Sequence, residues 1–478
     1  MTLAPHPAST RRRAPEVFVC AAAGFTTLLD SSVLNIGLPA MRSALHSSGP
    51  QVQWILAAYS LAFGLALVPA GRLGDVYGRR RLLLAGIALF AVMGVCGATA
   101  TGAWTVVFAR FGQGLGAGLI SAQVLGIISE RFTGSDRARA LAAYSTAGGL
   151  AGLCGPLVGG VVLALTPDGT GWRLLLLLNV PFAVLTLILA VRFLEPDHRR
   201  ASTRFGVDTG GLMLLAAVTA LLMLPVVADL SPLVVGASVS GAALSFAGFL
   251  WWEGVFATRG GNPVLIPALT RSPGYVLGTL VAMFWFGAVL SLNTVVSLYL
   301  IEGLGYPALQ AAAVLSAGSL AMAVASASAW RVVARFGRSA VAAAVLVELV
   351  VVGGYIAAAH AAAPIMVFVA LAVVSGLAGG MVDAPNRVLT LEASPAGGHG
   401  VAAGFLQLSQ RLSATVSVAA VSGLYLSALV ADADDFAGAA TAGLAVCAAM
   451  IAVSLTLAVV DGRRRRTGGI DSSGSGTR

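Results

Sequence analysis

The stretch GRLGDVYGRRR (71–81) lies between two apolar runs, 52–70 and 82–101, and a related stretch, WRVVARFGRSA (330–340), lies between the runs 308–329 and 340–359. Placing Gly78 on Gly337 superposes Arg72 on Arg331, Tyr77 on Phe336 and Arg79 on Arg338, while Asp75 falls on Ala334. A short charged loop that recurs between long apolar runs describes two homologous halves. Parallel repeats of this kind build two helical bundles around a central cavity, the plan of a carrier rather than a pore.

Outward from these loops the apolar runs continue along the chain. Runs of about 20 apolar residues are long enough to cross a bilayer core of about 30 Å. Fourteen are read: 17–40, 52–70, 82–101, 104–127, 138–165, 172–194, 209–229, 232–252, 274–300, 308–329, 340–359, 364–384, 401–430 and 437–460. The first follows Arg11, Arg12 and Arg13 and resembles a signal peptide at its start, but it is too long for one and is read as a retained helix. The expected fold is all-α and membrane-embedded. It has an N-terminal six-helix bundle (17–200), an inserted helix pair (205–257), a C-terminal six-helix bundle (258–462) and disordered cytoplasmic tails (1–16 and 463–478).

Composition supports this and removes other classes. The chain has 478 residues, 58% of them apolar and 10% charged, against about 25% charged residues in soluble domains. All 29 basic residues are arginine. Without lysine there is no P-loop to hold nucleotide phosphates and no Schiff-base chemistry. The net charge of +9 would suggest nucleic acid in a soluble protein. Its distribution points instead to a membrane surface. With the N-terminus placed inside, 25 arginines fall in inside segments and two, Arg42 and Arg173, in outside loops. This bias predicts a multi-pass protein of the cell membrane with both termini cytoplasmic. The four cysteines sit in apolar runs and the five histidines are scattered, so neither a disulfide framework nor a metal site is indicated. Gly112, Gly114, Gly116 and Gly118 suggest a dinucleotide loop only until their apolar context is considered.

Six motifs in order carry a family resemblance. They are LLDSSVLNIGLP (28–39), WILAAYSLA (54–62), GRLGDVYGRR (71–80), FARFGQGLGAG (108–118), GGLAGLCGPLVGG (148–160) and WRLLLLLNVP (172–181). The chain resembles the 14-span drug:H⁺ antiporter family of the major facilitator superfamily over nearly its whole length. The resemblance implies a proton-coupled antiporter that exports small amphipathic drugs or antibiotics, driven by the proton gradient and needing no cofactor, and not an enzyme. Its expected partners are substrate, protons and lipid, with no nucleic acid and a monomeric state. A proton-coupled importer of a small metabolite and a lipid-handling flippase-like protein are the alternatives.

Asp30 is a mid-span acid, and a charge there costs about 2.5–3.5 kcal/mol, so it should face a cavity or a partner and exchange protons. The resemblance implies that Arg110 helps that site titrate. It also implies that Gly71, Asp75, Gly78, Arg79 and Arg80 form an inner gate. Gly148, Gly152, Gly155, Gly159 and Gly160 would make a smooth helix face, bent at Pro156 and limiting leakage during antiport. Glu348 in VLVELVV (345–351) and Asp383 in GGMVDAPNR (379–387) depart from the pattern and are candidate second proton or cation sites. In LSQRLSATV (408–416) the order of Gln410 and Arg411 is reversed from the family's, so Arg411 takes no role from the resemblance. Asn35, Tyr59, Gln113, Trp285, Phe286, Asn293, Tyr299 and Gln407 are candidates for the substrate wall. An aromatic face near a carboxylate suits an organic cation.

Overall fold

The computed structural model describes residues 10–47, 49–166, 170–196, 208–227, 231–259, 267–395, 399–431 and 435–471. Among the described residues there is no strand. The first bundle comprises α1 (Thr10–Ala44), α2 (Gly49–Tyr77), α3 (Arg79–Ala98), α4 (Ala103–Arg131), α5 (Gly134–Leu165) and α6 (Gly171–Phe193). Two helices follow, α7 (Thr209–Val227) and α8 (Pro232–Thr258), then the short α9 (Pro267–Thr270). The second bundle comprises α10 (Pro273–Leu298), α11 (Ala308–Phe336), α12 (Arg338–His360), α13 (Ile365–Glu392), α14 (His399–Ala431) and α15 (Phe436–Asp471), with a π-helical turn over Tyr299–Gly303. Among the described residues, eleven helices are long and apolar enough to cross a membrane. The chain is a multi-pass membrane protein.

The expected disordered tails lie partly outside the described residues, at 1–9 and 472–478, and partly within helices. Helix α1 begins at Thr10, and α15 continues to Asp471 through the arginines at 463–466. Arginine is a good helix former, and positive charge near a helix C-terminus is favoured by the macrodipole.

The repeat read from the two loops is visible in the packing. In the first bundle α2 packs on α4, α3 on α4 and on α6, and α1 on α5 and on α6. In the second, α11 packs on α13, α12 on α13 and on α15, and α10 on α14 and on α15. The same pairings therefore recur one half later. Gly78 separates α2 from α3 with φ +98°, and Gly337 separates α11 from α12 with φ +54°. Both values lie where a side chain is strained, which accounts for glycine at both junctions.

The halves meet along two seams, α5 against α11 and α2 against α14. A Cβ at Gly149 would lie 2.9 Å from the Ala323 Cβ, and one at Gly404 2.9 Å from the Leu67 carbonyl oxygen. Helices approach this closely only where small residues let the backbones in. The inserted pair packs together, with α7 lying against α2 and α14 at the edge of the second seam. Asp208 braces it by accepting from Trp252 Nε1 at 2.7 Å and from the Gly211 amide at 2.9 Å.

Candidate functional site

Three helices place the central charges of the first half. Asp30 on α1 and Arg110 on α4 form an ion pair at 2.6 Å, with 1% and 2% of their surfaces exposed. Asn179 on α6 donates to the other Asp30 oxygen at 2.8 Å. Arg110 Nη1 also donates to Gln113 Oε1 at 2.9 Å. The guanidinium carbon stands 4.3 Å from the centre of the Tyr59 ring, and the Tyr59 hydroxyl donates to the Thr27 carbonyl at 3.1 Å. A charge so buried needs both a counterion and satisfied hydrogen bonds, and each group here supplies part of that need. Gln113 and Tyr59, expected on the substrate wall, both touch this ion pair. Asn179 escaped the sequence reading, although the signal was present: a lone amide in the leucine-rich run LLLLLNVP (174–181).

A second pair joins the halves. Asp383 on α13 accepts from Arg387 Nη2 at 2.8 Å and from Ser145 Oγ on α5 at 2.9 Å. Arg387 in turn stands 5.5 Å from the Tyr144 ring centre. Asp383 thus sits at a contact between bundles rather than as an isolated acid. Trp285, Gln410 and Asn386 line a small void beside it. Gln407 lies one helical turn before Arg411 and is buried, as is Trp285. Asn293 is partly buried on α10. Tyr299 turns away from the wall: its hydroxyl donates to the Ala359 carbonyl at 2.7 Å within the second bundle. Phe286 packs against the core of that bundle. The side chains of Asn35 and Pro156 lie outside the described residues.

Glu348 is fully buried on α12 and is distant from the seams. Its Oε1 accepts from Ser375 Oγ on α13 at 2.7 Å, while Oε2 has no partner. Helix α12 packs on α13 and α15, so the carboxyl is enclosed within the second bundle.

At the arginine-rich end Arg79 is 5% exposed and bridges Asp75 at 2.5 Å and Glu130 at 2.9 Å. Arg80 donates to the Val191 carbonyl at 2.8 Å, tying α3 to α6. Gly71 is buried. The repeat-related Arg338 lost its local acid at Ala334 but is paired with Asp461 from α15, and it donates to the Gly274 carbonyl at 3.1 Å. The acid that pairs with Arg338 comes from a helix far along the sequence, whereas Asp75, which pairs with Arg79, comes from the preceding one.

On α5, a Cβ at Gly148 would lie 2.9 Å from Leu28 and one at Gly152 3.3 Å from Ser319 Oγ. Gly155 and Gly159 are buried. At Gly160 a Cβ would meet nothing within 4 Å. The tight face therefore runs from Gly148 to Gly152, includes Gly149, and does not extend to Gly160.

The profile of the Major Facilitator Superfamily matches residues 20–418. A protein of Streptomyces coelicolor (strain ATCC BAA-471 / A3(2) / M145) named "Probable actinorhodin transporter" is 31% identical over 92% of this chain and 77% of its own length. The "Cephamycin export protein CmcT" of Amycolatopsis lactamdurans is 32% identical over 62% of this chain and 60% of that protein. The "Multidrug resistance protein Stp" of Mycobacterium tuberculosis (strain CDC 1551 / Oshkosh) is 28% identical over 66% of this chain and 57% of that protein. Among solved structures, a proton:xylose symporter shares the fold with a TM-score of 0.67 at 16% identity, covering 92% of this chain and 94% of its own. Two bundles with the same helix pairings, buried charges where they meet, and a family match across most of the chain lead to one assignment: this protein belongs to the Major Facilitator Superfamily.

Proposed function

We propose that this protein is a 14-span drug:H⁺ antiporter that exports small amphipathic compounds in exchange for protons, with both termini cytoplasmic. The observation that carries the coupling is the Asp30–Arg110 pair, enclosed by Asn179, Gln113 and Tyr59. The three helices it joins are held there by a charge that one proton would cancel. Protonating Asp30 leaves Arg110 uncompensated in a low-dielectric site. Breaking a buried pair in this way costs about 3–5 kcal/mol, enough to favour a different packing of α1, α4 and α6. The Asp383–Arg387–Ser145 cluster and the Arg79 bridge then serve as closures that the rearranged bundle opens. A relative named as a cephamycin export protein supports the direction of transport, and relatives named as a probable actinorhodin transporter and a multidrug resistance protein support the substrate class.

The test uses inside-out vesicles with a respiration-driven pH gradient reported by a fluorescent dye. Adding amphipathic compounds collapses the gradient in wild type, and Asp30→Asn abolishes the effect. Collapse that survives the substitution moves coupling to Glu348 or Asp383. Absence of collapse with every compound, from protein present in the membrane, overturns the antiport reading.

A further inference from the structure

Three guanidinium groups converge where the bundles meet, each facing an aromatic ring. Arg110 faces Tyr59 at 4.3 Å, Arg387 faces Tyr144 at 5.5 Å and Arg411 faces Phe63 at 4.7 Å. Tyr59 and Phe63 are adjacent on α2, with ring centres 6.1 Å apart, and Arg411 lies within electrostatic range of Tyr59, Tyr144 and Arg387. Two of the three charges are cancelled, Arg110 by Asp30 and Arg387 by Asp383. Among the described residues Arg411 has neither a carboxylate nor a hydrogen-bond acceptor; its contact is the Phe63 ring. The centre therefore carries one net positive charge.

Its position bears on its use. On the α2–α14 seam, Gly404 meets Leu67 and Leu408 meets Gly64. Arg411 is the next turn of α14 and lies where that close contact ends, partly buried. A second observation is independent of it. The Trp285 indole N–H is buried without an acceptor, on the wall of the void that Gln410 and Asp383 share. Asn386 Oδ1 lines the same void as an acceptor with no partner among the described residues, so the place holds unmet polar groups of both kinds, with the Trp285 N–H and Arg387 Nε as the donors. A buried donor left unmade costs about 1–3 kcal/mol, more when charged.

We infer that Arg411 anchors the anionic group of an aromatic, amphipathic substrate, a carboxylate or a comparable oxyanion, while the ring system lies against Phe63 and Tyr59. The guanidinium fork matches a carboxylate in a two-bond geometry. This deepens the export reading and rests on it for its physiological role. It also replaces the expected organic cation: Asp30, the acid that would receive a cation, already holds Arg110 and Asn179.

The experiment measures equilibrium binding to the purified full chain in detergent. The probes share one ring system at three charges: naphthalene-2-carboxylate, naphthalene-2-carboxamide and (naphthalen-2-ylmethyl)trimethylammonium. Wild type is expected to bind the carboxylate about tenfold tighter than the other two, the size of one charge-assisted contact. Arg411→Gln removes that preference and leaves carboxamide binding within about twofold, while Arg411→Lys retains part of it. Trp285→Phe, which keeps the core volume, weakens the carboxylate selectively, by about threefold. Equal binding of the three probes, preference for the cation, no binding of the carboxylate, or a preference that survives Arg411→Gln each overturns the inference. The vesicle assay separates the two readings. Gradient collapse by the cation and the amide, but not the carboxylate, leaves export standing and removes the anion site. Anion-selective binding without any gradient collapse does the reverse.

Discussion

Asp30 shows how a residue that is costly in a membrane is made tolerable by its surroundings. Alone at mid-span it is unfavourable; paired with Arg110 at 2.6 Å and bound by Asn179 at 2.8 Å, it becomes a fastening for three helices. Substituting either charge leaves the other buried and unpaired, so Arg110→Gln alone should destabilise the protein by about 3–5 kcal/mol. The double variant Asp30→Asn/Arg110→Gln removes both charges and should recover much of that stability without recovering proton-linked flux. Thermal unfolding in detergent, set beside the vesicle assay, checks both halves of this expectation; equal destabilisation of the single and double variants contradicts it. Glu348 follows a different rule. Among the described residues it has Ser375 as a partner and no cation, so Glu348→Gln keeps the hydrogen bond and removes the ionisable group. It should leave folding intact and substrate-driven proton flux above about half of wild type, the cost of one surviving neutral hydrogen bond being small. Loss of flux with normal folding would instead bring Glu348 into the coupling.

Among the elements, α5 and α11 make a close backbone contact between the two halves. A Cβ at Gly149 would stand 2.9 Å from Ala323, whose backbone cannot withdraw. Gly149→Val should therefore force the seam apart, whereas Gly160→Val, where a Cβ meets nothing within 4 Å, should be tolerated. Transport of a fluorescent substrate is expected to fall below about a tenth of wild type in the first variant and to stay within about twofold in the second, because overpacking a close-packed site costs about 1–3 kcal/mol or more. Similar losses in both would mean that the glycines act through something other than packing. The short loops at Gly78 and Gly337 are equally specific: their φ values of +98° and +54° account for glycine at both, while the acid at Asp75 has alanine at the matching position 334.

At the scale of the whole molecule, the halves are joined by a polar tie as well as by seams. Asp383 reaches Ser145 across the interface at 2.9 Å while held by Arg387. Asp383→Asn removes the charge that restrains Arg387 and weakens the tie between bundles. Spin labels on the ends of α5 and α13 nearest this tie should then report a population with longer distances than in wild type. Unchanged distance distributions would show that the apolar seams alone hold this side shut. The inserted pair rests on α2 and α14 at the edge of one seam, where it is placed to move with either bundle.

The sequence by itself determined the kind of elements, long apolar helices and no strands among the described residues. A 20-residue apolar run has few alternatives in a bilayer, since its backbone groups must be satisfied within the helix. A charged loop repeated between such runs shows the two halves before any contact is known. It also singled out Asp30, Arg110 and Asp383, because a charge in an apolar run is visible on its own, and Arg79, because its charged loop recurs in the second half. Partners were beyond its reach. That Asn179 holds Asp30, that Asp461 replaces the acid missing at position 334, and that Ser145 reaches Asp383 depend on residues about 120 to 240 positions apart lying side by side. The carbonyls of Ala359 and Thr27 that hold the Tyr299 and Tyr59 hydroxyls were out of its reach for the same reason. Hydropathy specifies which residues enter the membrane, but the rotation of each helix about its own axis is set by packing against its neighbours. Only the tertiary structure decided that Arg110 and Arg387 are neutralised while Arg411, equally visible in the sequence, keeps its charge.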